Sequence, residues 1–349
     1  MVRKDVLLSL TVGLALGLSS GCGKPPEPTT KVPIQPLATA PQTGKAITVC
    51  LLPKRKGIPY FSSCAAGAET AAKDLGQVTV IYDGPTDGSP EKAAAMIETW
   101  TLKGVDVIAV SPNDPEVLAP AMKKARASGV KVITWDADGL PGTRDLFVNQ
   151  ATAQGIGYAL VDAMAKDLGG EPPTGDVAIV TATLTAANQN AWMEHMKERL
   201  KTYPGLNLVA VKPSNEDQKV AFQVTQDLIK AYPKLKGVFG ISSVAFPGAA
   251  EAVRQAGKSG QVLVTGLSTP NNMREFVMDG TVKSVILWNT ADLGRLTVYV
   301  AAALARGQLQ AGATTFTAGP LGTKTVDGDN ILLGDILIFT KANIAQYDF

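Results

Sequence analysis

From Ile47 onward, short unbroken apolar runs alternate with longer runs of helical spacing, and few folds accept that alternation. The β-rich runs read "AITVCLL", "VTVIYDG", "VDVIAVS", "VKVITWD", "LFVN", "DVAIVTA", "LNLVAV", "GVFGIS", "QVLVTGLS" and "KSVILWN". They are too continuously apolar to be half-exposed antiparallel strands, which alternate polar and apolar residues. Parallel sheets covered by helices on both faces are expected, so the fold class is α/β. Between the strands, Phe61, Cys64, Ala68, Ala71 and Leu75 fall three or four apart, as do Ala93, Met96, Ile97 and Trp100. The second of these helices opens "SPEKA", with Ser89 as an N-cap and Pro90 at the first helical position.

About five strands lie on either side of "FVNQATAQG", which divides the body into two Rossmann-like lobes of similar size. A chain of 349 residues with 45% hydrophobic and 18% charged residues buries cores large enough for both. Its formal charge of +2 and the absence of basic runs interleaved with aromatics exclude a nucleic-acid partner. The partners expected are small molecules or proteins.

In open parallel sheets, ligands meet the loops that follow the carboxyl ends of strands. Those loops are "LLPKRKGIPYF", "VSPNDP", "TWDADG", "TLTAANQNAW", "GISSVAFPG" and "LWNTAD". They offer Lys54, Asn113, Asp136, Asp138, Asn188, Gln189, Ser242, Ser243 and Asn289, with Tyr60, Phe61, Phe246 and Trp288 nearby. A carboxylate accepts from hydroxyls while amides both donate and accept, so this set suits a ligand dense in hydroxyls, held in a cleft between the lobes.

Catalytic constellations are missing. The chain has no nucleophile elbow, Walker A loop or Cys–His pair, and its single histidine, His195, has no clustered ligands for a metal site. "GIGYAL" has Leu160 where a dinucleotide fingerprint needs a third small residue. Asp136 and Asp138 stand two apart on one loop and lack the set separation of a glycosidase pair. No cofactor and no enzymatic activity are expected.

The N-terminus carries its own message. "MVRKD" is basic, "VLLSLTVGLALGL" is apolar and "SSGC" ends in small residues before Cys22, the layout of a signal peptide over residues 1–21. "LSSGC" resembles a bacterial lipobox, which makes Cys22 a lipidation site and the cell envelope or periplasm the expected location. Residues 22–45, rich in Pro and Thr, then read as an extended tether. Export permits a disulfide between Cys50 and Cys64, while two separately buried thiols explain the same residues.

Taken together, the lipobox, the two-lobe plan, "TWDAD", "ANQNAW", "GLSTPNNMREFVMDGTVKSVILWN" and "NIAQYDF" resemble the type I periplasmic binding proteins of ABC importers, closest to the autoinducer-2-binding and rhamnose-binding branches. The resemblance covers residues 46–349. It implies ligand contacts at Lys54 in "LPK", Asp136 in "TWD", Asn188, Gln189, Ile241 and Ser243, with Asn188 an amide where the autoinducer branch has an acid. "TAANQNAW" and Asn289 are more similar to the rhamnose branch. It also implies three passages between lobes, near Asn149, Ser268 and Gln308. Lobe 1 would span 46–149 and 269–309, and lobe 2 would span 150–268 and 310–349. The partners implied are a neutral sugar or autoinducer-2-like ligand and an ABC permease, with the protein itself a monomer. A sensory co-receptor for a chemoreceptor or kinase would use the same cleft. A LacI-like regulator shares the fold but requires a DNA-reading helix-turn-helix where this chain has its leader.

Overall fold

A computed structural model describes residues 45–309 and 312–349; the expected leader, Cys22 and nearly all of the tether lie outside the described residues. The first half of the body contains β1 (Ile47–Leu52), α1 (Pro59–Leu75), β2 (Val78–Tyr82), α2 (Pro90–Leu102), β3 (Val107–Val110), α3 (Pro115–Ala127), β4 (Lys131–Trp135) and β5 (Leu146–Asn149). After Asn149 the chain passes into α4 (Ala153–Leu168), β6 (Gly175–Thr181), α5 (Ala187–Leu200), β7 (Leu206–Pro213), α6 (Gln218–Ala231), β8 (Leu235–Gly240), α7 (Ala245–Gln255), β9 (Leu263–Gly266), α8 (Pro270–Met278) and β10 (Val285–Leu287). It closes with α9 (Thr290–Ala305), β11 (Thr315–Thr317), β12 (Thr323–Asp327), β13 (Asn330–Leu332) and β14 (Leu337–Phe339).

One sheet runs β11-β12-β13-β5-β4-β3-β1-β2, a second runs β7-β6-β8-β9, and β10 and β14 form a small third. Every pairing from β13 through β5, β4, β3 and β1 to β2 is parallel, as is every pairing in the second sheet. The local signals act as expected where they were strongest. Ser89 caps α2 by accepting from the Lys92 amide at 3.2 Å, with Pro90 at the first helical position.

The passages expected at Ser268 and Gln308 fall elsewhere. β10 lies beside the second sheet, where Leu267 bridges Ile286 in parallel, and pairs antiparallel with β14 in a two-stranded sheet of its own. α9 instead packs on α1, and β11, β12 and β13 extend the first sheet through the β13–β5 pair. The second passage is therefore at Trp288–Asn289, and the third lies between Leu332 and Leu337. Each strand was legible as a strand, but the edge it joins is decided by partners far along the chain.

The sheet of the first lobe separates two apolar layers. Ile47, Val49 and Leu51 face the layer that holds Phe61, Cys64 and Ala68 of α1, while Cys50 and Leu52 face the layer of Ala93, Ile97, Leu118 and Met122. This follows from the two-residue period of a strand. It also settles the cysteines: Cys50 and Cys64 are free, buried thiols on opposite faces of the sheet, so the permitted disulfide does not form. Burial pushes the Cys50 thiol up to about 12 and raises Cys64 as well, which removes the reactive thiolate. Ellman's reagent without reductant should find neither in folded protein and both in urea; failure to detect them in urea would point to a bridge.

α1 and α9 cross at contact distance because a glycine on each meets the backbone of the other. A Cβ built on Gly67 would overlap the carbonyl oxygen of Ala291, and one on Gly294 would overlap that of Cys64. Gly157, in the "GIGYAL" segment, similarly lets α4 lie against Trp192 and His195 of α5. That segment is a packing device rather than a nucleotide fingerprint.

Candidate ligand-binding site

The site begins with the turn that ends β4. Asp136 sits at φ +64°, and the Ala137 amide donates back to the Trp135 carbonyl at 2.7 Å. Aspartate is among the few residues that accept this left-handed conformation. Trp135 is anchored beneath by its indole, which donates to the Ala109 carbonyl at 3.2 Å. The result is a carboxylate that leaves the sheet edge and is only 4% exposed.

A buried charge needs partners, and Asp136 has three. Tyr60 donates its hydroxyl to Oδ1 at 2.8 Å, Ser111 donates to Oδ2 at 2.8 Å, and the Lys54 ammonium lies 3.3 Å from Oδ2. Trp288 in turn donates its indole N–H to the Tyr60 oxygen at 3.0 Å. Burial, and next the Asp136 charge, push the Tyr60 phenol well above its ordinary value, so it remains a donor.

The other lobe answers with amides from the first turn of α5. Lys54 donates to Asn188 Oδ1 at 3.1 Å, and the Asn188 amide nitrogen reaches the Asp136 carbonyl at 3.4 Å. Gln189 is 3% exposed, and its Oε1 accepts from Thr181 and from the Ala182 amide at 2.8 Å. That leaves the Gln189 Nε2 group as a donor for the cavity it lines. Trp192, four residues beyond Asn188, falls on the same helix face. Ile241, Ser242, Ser243, Leu267, Leu287 and Glu216 complete the second wall.

These residues surround a hollow of about 370 Å³, its open mouth included. Aromatic rings form an edge-to-face array around it: Tyr60 against Trp288 at 6.1 Å, Phe61 against Trp135 at 5.6 Å, and Trp192 against Trp288 at 6.2 Å. The polar groups are the Asp136–Lys54 ion pair, the Glu216 carboxyl, hydroxyls and amides. They can hold a hydroxylated ring by its oxygens while aromatic edges meet its C–H faces.

Of the residues singled out from the sequence, Lys54, Phe61, Asp136, Asn188, Gln189, Ile241 and Ser243 line this cavity. Three others do not. Asp138 is held by Arg144 through Nε at 2.8 Å and Nη2 at 2.6 Å and by the Thr134 hydroxyl at 2.7 Å, so its carboxylate serves the turn. Asn113 donates to the Gly88 carbonyl in a separate hollow. Asn289 caps α9, accepting from the Asp292 amide at 3.1 Å. All three follow strand ends, but short polar side chains there are drawn to local backbone groups. Phe246 is fully buried in the second lobe, and His195 lies half-buried against Glu198.

Tyr60, Ser242 and Trp288, which the strand-end loops also offered, line the cavity too, whereas Trp192, Glu216, Leu267 and Leu287 were not singled out from the sequence. Glu216 was legible by the rule already applied, because "KPSNED" follows the carboxyl end of β7. It and Asn215 both sit at positive φ, +52° and +54°, and the Arg55 guanidinium of the first lobe donates to the Glu216 carbonyl at 2.7 Å. Burial raises the Glu216 carboxyl above its ordinary value; Asp136 adds to this, while Lys54, Arg55 and Ser242 oppose it.

Comparison with known proteins places this geometry. A family model described as "Periplasmic binding protein domain" matches residues 49–309. The ribose import binding protein RbsB of Salmonella typhimurium is 25% identical over 262 residues, covering 75% of this chain and 86% of that protein. Among solved structures, LsrB from Clostridium saccharobutylicum in complex with AI-2 is 28% identical with a TM-score of 0.83, covering 87% of this chain and all of the other. A solute-binding protein from Clostridium phytofermentas with bound L-rhamnose is 29% identical with a TM-score of 0.81, covering 87% and 98%. With parallel sheets in two lobes and the polar cavity at their strand ends, the chain belongs to the periplasmic binding protein family, in its type I architecture.

Proposed function

We propose that this protein is the extracytoplasmic receptor of an ABC importer, lipid-anchored through Cys22, and that it binds a neutral monosaccharide or autoinducer-2-like polyol. The observation that carries the reading is the Asp136–Lys54 pair, buried between lobes and faced by the Asn188 and Gln189 amides. Such a pair offers hydroxyls a charged acceptor and a charged donor without net charge. The ligands printed for the similar structures, AI-2 and L-rhamnose, support this class. Asn188, an amide where the autoinducer branch carries an acid, favours the sugar. Closure joins Lys54 to Asn188 and Arg55 to the Glu216 carbonyl, and would present the closed form to a permease.

Calorimetry against L-rhamnose, D-ribose, D-arabinose and AI-2 tests the reading. Heat and a thermal shift are expected with at least one, and silence with all four would sink it. Affinity should also depend on pH through Glu216. Its carboxyl is raised in the closed cavity, and opening returns it to water, so closure takes up a proton. The contribution is fully present below the ordinary glutamate value and is lost as pH rises through the raised one. Glu216→Gln should flatten that slope relative to wild type; matching slopes would remove Glu216 from the linkage.

A further inference from the structure

Beside the main cavity lies a second hollow of about 460 Å³, its mouth included, which is larger than the first. The two share Asp136, Asn188 and Trp192 as a common wall. The hollow borders the first passage between lobes and is lined by Phe147, Gln150, Ala151, Ala187 and Ala191. Ala187 and Ala191 stand one turn apart on α5 and are both exposed, so the helix offers room where larger side chains would be tolerated. Gln150 is 1% exposed, and its Oε1 has no hydrogen-bond partner. Leaving a buried amide oxygen without a donor is costly, which marks the position as one that a ligand donor can satisfy.

We infer that this hollow is a second sugar subsite, so that the ligand class extends from a monosaccharide to a disaccharide or other glycoside whose first ring fills the main cavity. The inference rests on the sugar-receptor reading above. The second ring meets Phe147, Trp192 and the alanines with its C–H faces and donates a hydroxyl to Gln150 Oε1. Asn188 is the partition between the hollows. Its Oδ1 accepts from Lys54 at 3.1 Å and from the Gln189 amide at 2.9 Å, and its amide nitrogen reaches the Asp136 carbonyl at 3.4 Å, so a glycosidic linkage that passes between the hollows has to replace those bonds.

The experiment uses the full chain and titrates L-rhamnose, D-ribose and D-arabinose, and then the disaccharides and methyl glycosides of whichever sugar binds. The same disaccharides are titrated directly if no monosaccharide does. An extended ligand should bind at least about tenfold more tightly than its monosaccharide, near 1.4 kcal/mol. Ala191→Phe, which fills the hollow from an exposed helix position, should abolish that gain and leave the monosaccharide affinity within about twofold. Gln150→Met should remove part of the gain. Extended ligands that bind no better than the monosaccharide overturn the subsite and leave the receptor reading intact, and so does an equal loss for both ligand sizes in Ala191→Phe. Heat from no sugar of either size sinks the receptor reading itself.

Discussion

Asp136→Asn should weaken ligand binding about a hundredfold or more while the fold survives. A hydrogen bond to a charged group contributes about 1.5 to 3 kcal/mol, and two ligand hydroxyls on one carboxylate therefore account for about 3 kcal/mol or more. Asparagine is the informative substitution because, like aspartate, it tolerates the left-handed backbone that Asp136 adopts at φ +64°. It also still accepts from Tyr60, so the variant loses the charge, the Lys54 pairing and the acceptor for the Ser111 hydroxyl. Asp136→Ala should add a lower Tm, since alanine at that φ is strained. Calorimetry and thermal denaturation on both variants separate the two effects. An unchanged Kd in Asp136→Asn would remove the carboxylate from the ligand's surroundings.

The largest stability effect should come from Gly294→Val, at the crossing of α1 and α9. Its side chain would enter the main chain of α1 at Cys64, where backbone and not a flexible side chain occupies the space. The helices must separate, and the layer between them, with Phe61, Ala68, Leu293 and Val300, loses contact. Overpacking of this kind costs at or above about 3 kcal/mol. Scanning calorimetry should show Tm lower by roughly 6 to 12 °C. A shift within a degree would mean that the crossing is looser than described.

What was legible in the sequence divides along a physical line. Most of β1 to β10 were readable because strands buried on both faces are continuous apolar runs, the edge strands β2 and β7 because theirs are apolar though only partly covered, and the α2 cap because its chemistry is local. β11 and β12, "TFT" and "TKTVD", carry no such run; they exist by pairing along the edge that β13 makes with β5. The cavity shows the same division. Lys54, Asp136, Asn188 and Gln189 were found from strand ends and resemblance. Asp138 and Asn289 looked identical on paper, yet Arg144 and the α9 backbone claim them. Trp192 was visible as the residue one helical turn beyond Asn188, but a tryptophan at helical spacing reads first as core, and here it is both.

The late return of α9 and β13 also sets the order in which this chain can acquire structure as it is made. Residues 150 to 287 contain the whole second sheet and its helices, and only β10 still waits for β14, so that region can collapse on contacts close in sequence. The first sheet is different: its strands appear first, yet α1 has no counterpart until Thr290–Ala305 emerges, and β5 lacks its outer neighbour until Asn330–Leu332. Contacts closed over such separations form slowly. The amino-terminal half is therefore the last to be finished, which would keep the chain unfolded for longer during any passage through a membrane channel.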